Sequence, residues 1–372
     1  MRISYLLPKC TPDNSHGRYV IELVRRIAGK HSITIYAGQF WRPLKSIANC
    51  RVLPVLQRPA LARLASLWLE SLLAVRCRSS DVVHVQGADA PIGNVVTAHF
   101  CNQSVRALNR SDGGVYRRFN YALGAAAEKH CFTRYSVGRI IAVSRMLKNE
   151  IVNHYGVDAE KVIVIHHGVD PEAFHPRNRL RWRETVRQSH GIGAGDCVVL
   201  YVGGDYRRKG LVTLVEALRR LPREVKVLAV GVGLDTTLNN IGSESGLAGR
   251  ITFLPPTEHV GQFYAAADLF VLPTVYDTFS LATLEAMASG LPVVVSARAG
   301  VSEILRHGSD SLLLADPTDP EELAHSLRRL TSEETLRRHL GSEARSTAEL
   351  HSWDRVVSET VGVYERTMVH AA

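Results

Sequence analysis

Short runs of aliphatic and β-branched residues alternate along the chain with amphipathic stretches of helical period. This alternation is typical of parallel α/β sheets, in which helices cover buried strands. In the first half the pattern predicts strands at Ile3–Pro8, Ser32–Ala37, Arg51–Leu56, Asp81–Gln86, Val95–Phe100, Ile140–Ser144 and Val162–His166. It predicts helices there at Arg18–Gly29, Ala60–Arg78, Tyr116–Arg134 and Met146–Tyr155.

The same alternation restarts in the second half of the chain. It predicts strands at Cys197–Val202, Lys226–Gly231, Ile251–Leu254, Leu269–Pro273, Pro292–Ser296 and Leu312–Ala315. Two consecutive series, in a chain of 372 residues, predict two Rossmann-like doubly wound α/β domains rather than one large sheet. Proline and glycine break the periodicity within Gly168–Arg183, so we expect domains at 1–175 and 176–350. A last helix, within 351–372, is expected to pack back across the domain boundary.

The composition is that of an ordinary globular protein, with 45% hydrophobic and 22% charged residues. No apolar run reaches membrane-spanning length. The stretch Met1–Pro8 is too short to be the apolar part of a signal peptide, and it fits a first strand instead. These features favour a cytoplasmic protein.

Charge is distributed unevenly between the two halves. Residues 1–180 carry 25 Lys and Arg against 12 Asp and Glu, a net charge of +13, whereas residues 181–372 carry 20 against 24, a net charge of −4. The basic half either meets an anionic partner or is simply a solvated surface. The basic amphipathic stretch Ala60–Arg78 fits a membrane-surface helix, although the strand that follows it favours a helix covering the sheet. No nucleic-acid partner is expected.

Metal and disulfide chemistry find little support in the sequence. The six cysteines are scattered without a Cys-x-x-Cys pair, and His-Glu-x-x-His and Asp-x-Asp are both absent. This pattern argues against a zinc site or a disulfide framework. We therefore expect neither a metal nor any other cofactor.

The sharpest chemical motif lies between Pro273 and Pro292. A strand ends at Pro273, a polar turn carries Asp277 and Thr278, and a helix containing Glu285 ends at Gly290. The backbone N–H groups at this helix start, those of Phe279, Ser280 and Leu281, suit a diphosphate. The paired oxygens of a carboxylate suit the hydroxyls of a sugar or ribose. Spacing alone favours a plainer interpretation, in which Asp277 caps the helix and Glu285 lies on the surface.

This segment resembles the signature of family-4 glycosyltransferases (glycosyl transferases group 1), a carboxylate followed eight residues later by glutamate. The surrounding residues match it at Phe279, Leu284, Glu285, Ala286, Met287, Ala288, Gly290, Pro292 and Val293. Asp277 replaces the usual glutamate, and Ser280 replaces the usual glycine. The resemblance implies the GT-B fold, with two Rossmann-like domains facing a central cleft. It also implies retaining, metal-independent transfer of a sugar from a UDP- or GDP-sugar to a glycan, glycolipid or other acceptor.

A second motif, the run from Gly203 to Gly210, agrees with the first. It follows a strand and contains Gly204, Arg207, Arg208 and Lys209. Glycines let a backbone approach a ligand closely, and basic groups neutralise the charge of a departing diphosphate. Gly204 occupies the place of the family's arginine, so the resemblance leaves that role to Arg207 or Arg208. Taken alone, the run is compatible with an exposed loop.

Two positions in the first half complete the predicted site. Gly17 follows the first strand and matches a family glycine that lets the loop reach the sugar; the Gly-x-Gly-x-x-Gly of a dinucleotide site is absent there. His99 ends a strand, where a lone histidine is commonly structural, but the family has a histidine there beside the donor sugar.

The resemblance also implies a role for each part of the predicted site. Glu285 holds the ribose, while Arg208, Lys209 and the N–H groups of Phe279–Leu281 hold the diphosphate. Asp277 and His99 contact the sugar. The domain at 176–350 binds the nucleotide-sugar, and the domain at 1–175 binds the acceptor.

The acceptor side is less defined. We expect a glycan or lipid-linked acceptor, hypothesise that it is anionic, as in polysaccharide or lipopolysaccharide biosynthesis, and expect peripheral association with the inner face of the membrane. Two alternatives are a GT-B sugar-nucleotide 2-epimerase and a non-catalytic nucleotide-sugar-binding subunit.

Overall fold

A computed structural model describes residues 1–56, 59–74, 80–108, 114–134, 136–233, 236–243 and 247–369. The chain divides into two compact units. The first unit is formed by Met1–His167 together with Trp353–Ala372, and the second by Gly168–Ser352.

The first unit contains a parallel sheet of seven strands in its described residues, in the order β3-β2-β1-β4-β5-β6-β7. The strands are β1 Arg2–Leu6, β2 Ser32–Ala37, β3 Asn49–Val52, β4 Val82–Gln86, β5 Val95–Ala98, β6 Arg139–Ala142 and β7 Val162–Val164. The helices are α1 Ser15–Ile27, α2 Ala60–Ala74, α3 Asn102–Leu108, α4 Val115–Thr133 and α5 Arg145–Tyr155, with 3₁₀ turns at Arg42–Ser46 and Ala159–Lys161. Strands β4 and β5 are buried throughout, as strands covered on both faces of a parallel sheet must be.

The second unit contains a parallel sheet of six strands in its described residues, in the order β10-β9-β8-β11-β12-β13. The strands are β8 Cys197–Val202, β9 Val225–Val230, β10 Ile251–Leu254, β11 Leu269–Leu272, β12 Val293–Ser296 and β13 Ser311–Leu314. The helices are α6 Arg179–Ser189, α7 Leu211–Leu218, α8 Thr236–Ser243, α9 Val260–Ala266, α10 Leu281–Ala288, α11 Pro320–Ser332 and α12 Glu334–Glu349, with 3₁₀ turns at Pro176–Asn178 and Gly300–Ile304.

The strand order of the second sheet reverses between β8 and β11. In an open α/β sheet, the loops that follow the two strands at such a point separate to opposite faces and leave a crevice at the carboxyl ends of the strands. Both motifs singled out in the second half of the sequence lie here, because the run from Gly203 follows β8 and the run from Pro273 follows β11.

Helix α6 was not predicted, because its sequence is dominated by charged side chains. A buried ionic contact explains why this charged segment folds as a helix. Arg187 is 4% exposed, and its guanidinium donates to Oδ2 of Asp268 at 3.1 Å and to the Gly193 carbonyl oxygen at 2.8 Å. The contact joins residues far apart in sequence, which no local pattern reveals.

The last helix, α13 (Trp353–Val369), belongs to the first unit. Its indole ring at Trp353 packs edge-on against Tyr19 of α1, with ring centroids 6.0 Å apart, and its Tyr364 hydroxyl lies 2.9 Å from the hydroxyl of Tyr5. Burial of these rings in a common core ties the end of the chain to β1 and α1.

The first and last residues of the second unit lie close to each other. The Val169 N–H donates to the His351 carbonyl oxygen at 2.9 Å. The segment 168–175 falls in the second unit, whereas the sequence prediction placed it in the first domain. The Phe174 ring packs on Tyr264 of α9 at 5.6 Å, a long-range contact that accounts for the difference.

Three further findings concern only the described residues. No described helix has the length and apolar character needed to cross a membrane. The five cysteines within the described ranges are free thiols. No cluster of three His, Cys, Asp or Glu side chains there is arranged to hold a metal ion.

Candidate functional site

The turn after β8 brings Lys209 back over the end of its own strand. The Gly203 N–H donates to the Val230 carbonyl oxygen at 2.9 Å, which continues the ladder to β9. A Cβ atom on Gly203 would lie 2.4 Å from Cδ of Lys209, and one on Gly210, where φ is +76°, would lie 1.8 Å from the Pro273 carbonyl oxygen. Glycine at these positions is required by the path of the Lys209 side chain and by the close approach of the two loops.

The turn after β11 is tied to the first turn through Arg208. Its Nη1 donates to the Tyr276 carbonyl oxygen at 2.6 Å, and its Nε donates to Asp205 at 3.1 Å. The Val275 N–H in turn donates to the Arg208 carbonyl oxygen at 2.9 Å. Arg208 therefore fixes the two turns to each other at the edge where β8 and β11 end.

Lys209 and Asp277 meet at this edge. The Lys209 ammonium lies 3.4 Å from Oδ2 of Asp277, and both side chains are largely shielded from solvent. The Phe279 N–H donates to Oδ1 of Asp277 at 3.4 Å, but the N-cap of α10 is Ser280 and not Asp277. The plainer interpretation of Asp277 as a helix cap is thus wrong. The pair places one cation and one anion side by side at the start of α10.

Ser280 is the N-cap of α10. Its side-chain oxygen accepts from the Thr283 N–H at 3.2 Å and lies 2.8 Å from the Thr283 hydroxyl. Its φ is +85°, a value found at no other non-glycine position among the described residues. The backbone here has the conformation that favours glycine, the residue usual in the resembled signature, and the capping hydroxyl offsets part of the strain of a serine.

Glu285 is buried, with only 3% of the residue exposed, so its interpretation as a surface residue is wrong. The hydroxyl of Tyr264, on α9, lies 3.0 Å from Oε2 of Glu285 and 3.0 Å from the Ala282 carbonyl oxygen. A carboxylate buried in an α/β core needs polar partners to offset its desolvation. The tyrosine supplies one and fixes the orientation of the carboxylate.

The other predicted donor-site residues take different positions in these turns. Thr278 and Phe279 are buried, and Leu281 is half-buried. Arg207 is exposed and lies over the ring of Tyr206, with its guanidinium carbon 5.6 Å from the ring centroid. Gly204 is exposed, and a Cβ atom there would make an ordinary contact 3.5 Å from the Gly231 carbonyl oxygen. Of the two candidate arginines, Arg208 is therefore the one bound into the site.

In the first unit, His99 is the centre of a stack of imidazole rings. His16 stacks on it with centroids 4.3 Å apart, and His167 lies on its other side at 5.7 Å. Its Nε2 lies 2.8 Å from Oε1 of Gln86. An amide oxygen accepts, so this contact places the proton of a neutral His99 on Nε2.

Burial favours the neutral form of His99 and His84. Desolvation, together with the neighbouring His16 and His167, lowers the pKa of His99 well below its ordinary value. Desolvation also lowers the pKa of His84 to about 3. The two nitrogens of His84 lie 2.7 Å from the Tyr364 hydroxyl and 2.7 Å from the Thr97 hydroxyl. No carboxylate is among the groups that shift either pKa, so the desolvation of a charged imidazole is not offset there.

Gly17 lies in the first turn of α1, after the N-cap Asn14, so the helix begins before the predicted Arg18. Oδ1 of Asn14 accepts from the Gly17 N–H at 2.7 Å. A Cβ atom on Gly17 would lie 2.4 Å from the Thr11 carbonyl oxygen. Glycine is needed here because the loop after β1 packs directly against the start of the helix.

A cavity of about 330 Å³ opens beside His99 in the first unit. Helix α2, the loop after β4 and helices α3 and α4 surround it, and its polar lining includes Arg63, Asp89, Asn102 and Glu128. Burial raises the pKa of Glu128 to about 7, against the opposing effect of hydrogen bonds from Tyr155 and Asn102. Arg76 and Arg78 of the predicted basic helix, and Arg58 just before it, lie outside the described residues.

Sequence reasoning did not single out Tyr264, Asp89 or Glu128. The first belongs to a short helix without a motif, and Asp89 follows a strand without a recognisable spacing. Glu128 had a detectable signal, because it is a lone acid among alanines on the buried side of α4.

Two family models match the chain. The model described as glycosyltransferase family 4 matches residues 16–173, and the model described as glycosyl transferases group 1 matches residues 196–333. Between them they cover most of the chain and both of its units.

Proteins similar in sequence to this chain support the same family. An uncharacterized glycosyltransferase of Methanocaldococcus jannaschii is 28% identical over 77% of this chain and 76% of that protein. A D-inositol 3-phosphate glycosyltransferase of Nocardioides is 32% identical over 61% of this chain. The match covers 53% of that second relative, so the chain spans about half of its length.

Solved structures share the architecture of the whole chain. WaaG, a glycosyltransferase involved in lipopolysaccharide biosynthesis, is 21% identical with a TM-score of 0.84, over 97% of this chain and 99% of that one. HepE of Anabaena, in complex with UDP and glucose, is 19% identical with a TM-score of 0.77, over 98% and 99%. At these identities the likeness establishes the fold, two parallel-sheet Rossmann-like domains of the GT-B type. With both family models matched, the chain belongs to the GT-B glycosyltransferases of group 1 and is a transferase enzyme.

Proposed function

We propose that the enzyme transfers a sugar from a UDP- or GDP-sugar to an acceptor hydroxyl with retention of anomeric configuration and without a metal ion. The observation that carries the proposal is the pairing of Lys209 with Asp277 at the carboxyl ends of β8 and β11, beside the start of α10. The Anabaena HepE complexes with UDP and with UDP-glucose support a nucleotide donor for this fold.

The chemistry that this arrangement supports is stabilisation of a leaving diphosphate. When the glycosidic bond breaks, negative charge develops on the diphosphate oxygen. Lys209 supplies a fixed positive charge, and the N–H groups at the start of α10 supply aligned dipoles. These groups perform the role that a divalent cation has in other sugar transferases. The nucleotide-sugar is a co-substrate, and the proposal involves no cofactor.

Glu285 is the residue that we assign to the ribose. Its carboxylate is held by Tyr264 and lies on the second turn of the helix whose start would receive the diphosphate. An ionised carboxylate accepts from the two hydroxyls of a ribose in the same way as it accepts from other paired donors. Asp277 is assigned to the hydroxyls of the transferred sugar. For His99, contact with the sugar stays a prediction.

Retention follows from the family resemblance. In the proposed reaction the acceptor hydroxyl attacks from the face that the diphosphate leaves, the glycosidic C–O bond breaks, and the leaving phosphate takes the proton of the hydroxyl. No side chain of the second unit is required as a covalent nucleophile in this scheme.

For the acceptor we propose a glycan or lipid-linked molecule, reached at the inner face of a membrane. Similar proteins support this class, since WaaG is involved in lipopolysaccharide biosynthesis and several relatives are D-inositol 3-phosphate glycosyltransferases. Exposed apolar side chains on α2 and α4, namely Leu69, Leu72, Leu73, Tyr116 and Phe119, support peripheral membrane contact. The surplus of basic residues in the first half supports an anionic surface or acceptor.

A thermal-shift panel of nucleoside diphosphates and their sugars, with EDTA present, tests the donor assignment. We expect one base to raise the melting temperature of the wild type and to have little effect on Glu285→Gln, which keeps the volume of the side chain but not its charge. Tyr264→Phe serves as the comparison, because it removes only the hydroxyl that orients Glu285.

Two results would count against the proposal. If no nucleotide stabilises the wild type at millimolar concentration, the donor site is wrongly assigned. If the enzyme epimerises a free nucleotide-sugar without acceptor, the reaction is that of a sugar-nucleotide 2-epimerase and not transfer.

A further inference from the structure

The cavity beside His99 in the first unit has the features of a built binding site. Glu128 is 4% exposed, and its two oxygens accept from the Asn102 backbone N–H at 2.8 Å, from the Asn102 side-chain amide at 2.5 Å and from the Tyr155 hydroxyl. Asn102 and Glu128 thus hold each other in one geometry at the wall of the cavity.

Helix α4 contains a glycine that lowers its stability at the point where Asn102 packs against it. Gly124 lies in the middle of this helix, where glycine is less favourable than alanine by about 1 kcal/mol. A Cβ atom on Gly124 would lie 2.6 Å from Oδ1 and from Cγ of Asn102. The glycine therefore lets the amide of Asn102 lie flat against the helix at the cavity.

Asp89 lines the same cavity, and 22% of its side chain is exposed. Its Oδ2 is buried and accepts no hydrogen bond from the described part of the chain. Nδ1 of the His16 imidazole lies 3.6 Å from this oxygen. A buried carboxylate oxygen without a donor is costly unless a ligand supplies one.

The balance of charge in the lining decides the kind of ligand. Among the described residues, its lining carries the carboxylate of Asp89, the carboxyl group of Glu128, whose pKa is raised to about 7, and the guanidinium of Arg63, beside the imidazoles of His16 and His99. An anionic group entering here would lose its hydration and meet a surplus of acceptors, whereas hydroxyl groups would meet the acceptors they need. The excess of Lys and Arg over Asp and Glu in the first half of the sequence is therefore not found among the described residues that line this cavity.

We propose that this cavity binds the uncharged, hydroxyl-bearing part of the acceptor, a sugar ring or cyclic polyol, and that a hydroxyl of this group donates to Asp89. The proposal rests on the proposed function in that it calls the ligand an acceptor, but the binding itself needs no donor. Any anionic portion of the acceptor lies outside this cavity.

The test measures binding of two sets of probes to the full chain by saturation-transfer NMR and calorimetry. The neutral set is myo-inositol and the methyl glycosides of glucose, galactose, mannose and N-acetylglucosamine, and the anionic set is the corresponding hexose 6-phosphates. A saturating nucleoside diphosphate, if one binds, is added so that the sugars do not enter the donor site. We expect a neutral probe to bind in the millimolar range and more tightly than its phosphate.

Three variants separate recognition from folding. Asp89→Asn keeps the shape but loses a charge-assisted hydrogen bond, so it should weaken the neutral probe about tenfold. Asp89→Lys should reverse the preference towards the phosphate. Glu160→Gln, at an exposed carboxylate of the same unit, is the matched control and should bind as the wild type does.

Gly124→Ala provides a second approach if Asp89 variants fold poorly. It displaces the Asn102 amide from Glu128, so it should weaken the neutral probe, and the gain in helix propensity should offset only part of the lost stability. The proposal is overturned if the phosphates bind more tightly to the wild type, if no neutral probe binds at roughly 50 mM, well above the expected millimolar range, or if Asp89→Asn matches Glu160→Gln. Stabilisation of the protein by nucleotides is measured in the separate thermal-shift experiment. A negative result there would count against the proposed function but not against sugar binding in this cavity.

Discussion

The ammonium of Lys209 lies 3.4 Å from Oδ2 of Asp277, joining the turns that follow the two central strands of the second sheet. The lysine reaches this position because Gly203 leaves room for its side chain, and the turns themselves are tied by Arg208. One cation is thereby held at a fixed place beside the start of α10.

Replacing this cation should reduce transfer far more than stability. We expect Lys209→Ala to lower kcat/KM about 100- to 1,000-fold, the usual cost of removing one group that stabilises a developing oxyanion. Lys226→Ala, at the opposite end of the same sheet, is the control and should leave the rate unchanged. Rates of nucleoside diphosphate release in the presence of acceptor provide the measurement. Equal rates for the two variants would contradict the assignment of Lys209.

The importance of the position of the Lys209 ammonium can be tested without removing its charge. Gly203→Ala places a Cβ atom 2.4 Å from Cδ of Lys209, the middle of a flexible side chain that can move aside. We expect kcat/KM to fall at least tenfold while the melting temperature changes by a few degrees at most. Gly195→Ala is the control, since nothing lies within 4 Å of its Cβ position. Full activity of Gly203→Ala would show that the position of the ammonium is unimportant.

Two substitutions of Ser280 can distinguish the cost of backbone strain from the contribution of the helix cap. Its positive φ costs about 1 kcal/mol or more for a side chain with a Cβ atom, whereas replacing a capping serine by glycine costs only a few tenths. Ser280→Gly should therefore stabilise the second unit by about 1 kcal/mol. Ser280→Ala keeps the strain and loses the cap, so it should destabilise by about 1 kcal/mol. Urea unfolding followed by circular dichroism measures both, and the same sign for the two changes would refute the explanation.

His84 should make the first unit less stable in mild acid. Its pKa is about 3 in the folded protein against an ordinary value of 6.5, so the unfolded chain binds the extra proton between these values. Stability is present above pH 6.5 and decreases as the pH falls towards 3, by about 2 kcal/mol between pH 7 and pH 5. Urea midpoints at the two pH values should differ less for His84→Gln than for the wild type. An equal pH dependence would show that His84 is not the titrating group.

Much of the fold could be predicted from the sequence because strands of a parallel sheet carry continuous local signals. Strands β2, β8 and β10 fall at the predicted residues, and the others are shifted by only a few. Helix α6 was missed, since its stability comes from Arg187 reaching Asp268 across the unit and not from its own amphipathic pattern. The residues proposed for the donor site could be singled out because they lie together in two short runs of sequence.

The alternation of strands and helices, and the signature around Asp277 and Glu285, could be identified from the amino-acid sequence because both depend on neighbouring residues. The burial and the contacts of these side chains are set by the packing of distant segments. Tyr264 orients Glu285, Lys209 meets Asp277, and the ring of His99 lies between those of His16 and His167. Each of these contacts joins segments far apart in the chain, so their geometry is set by packing and leaves no pattern in the order of the residues.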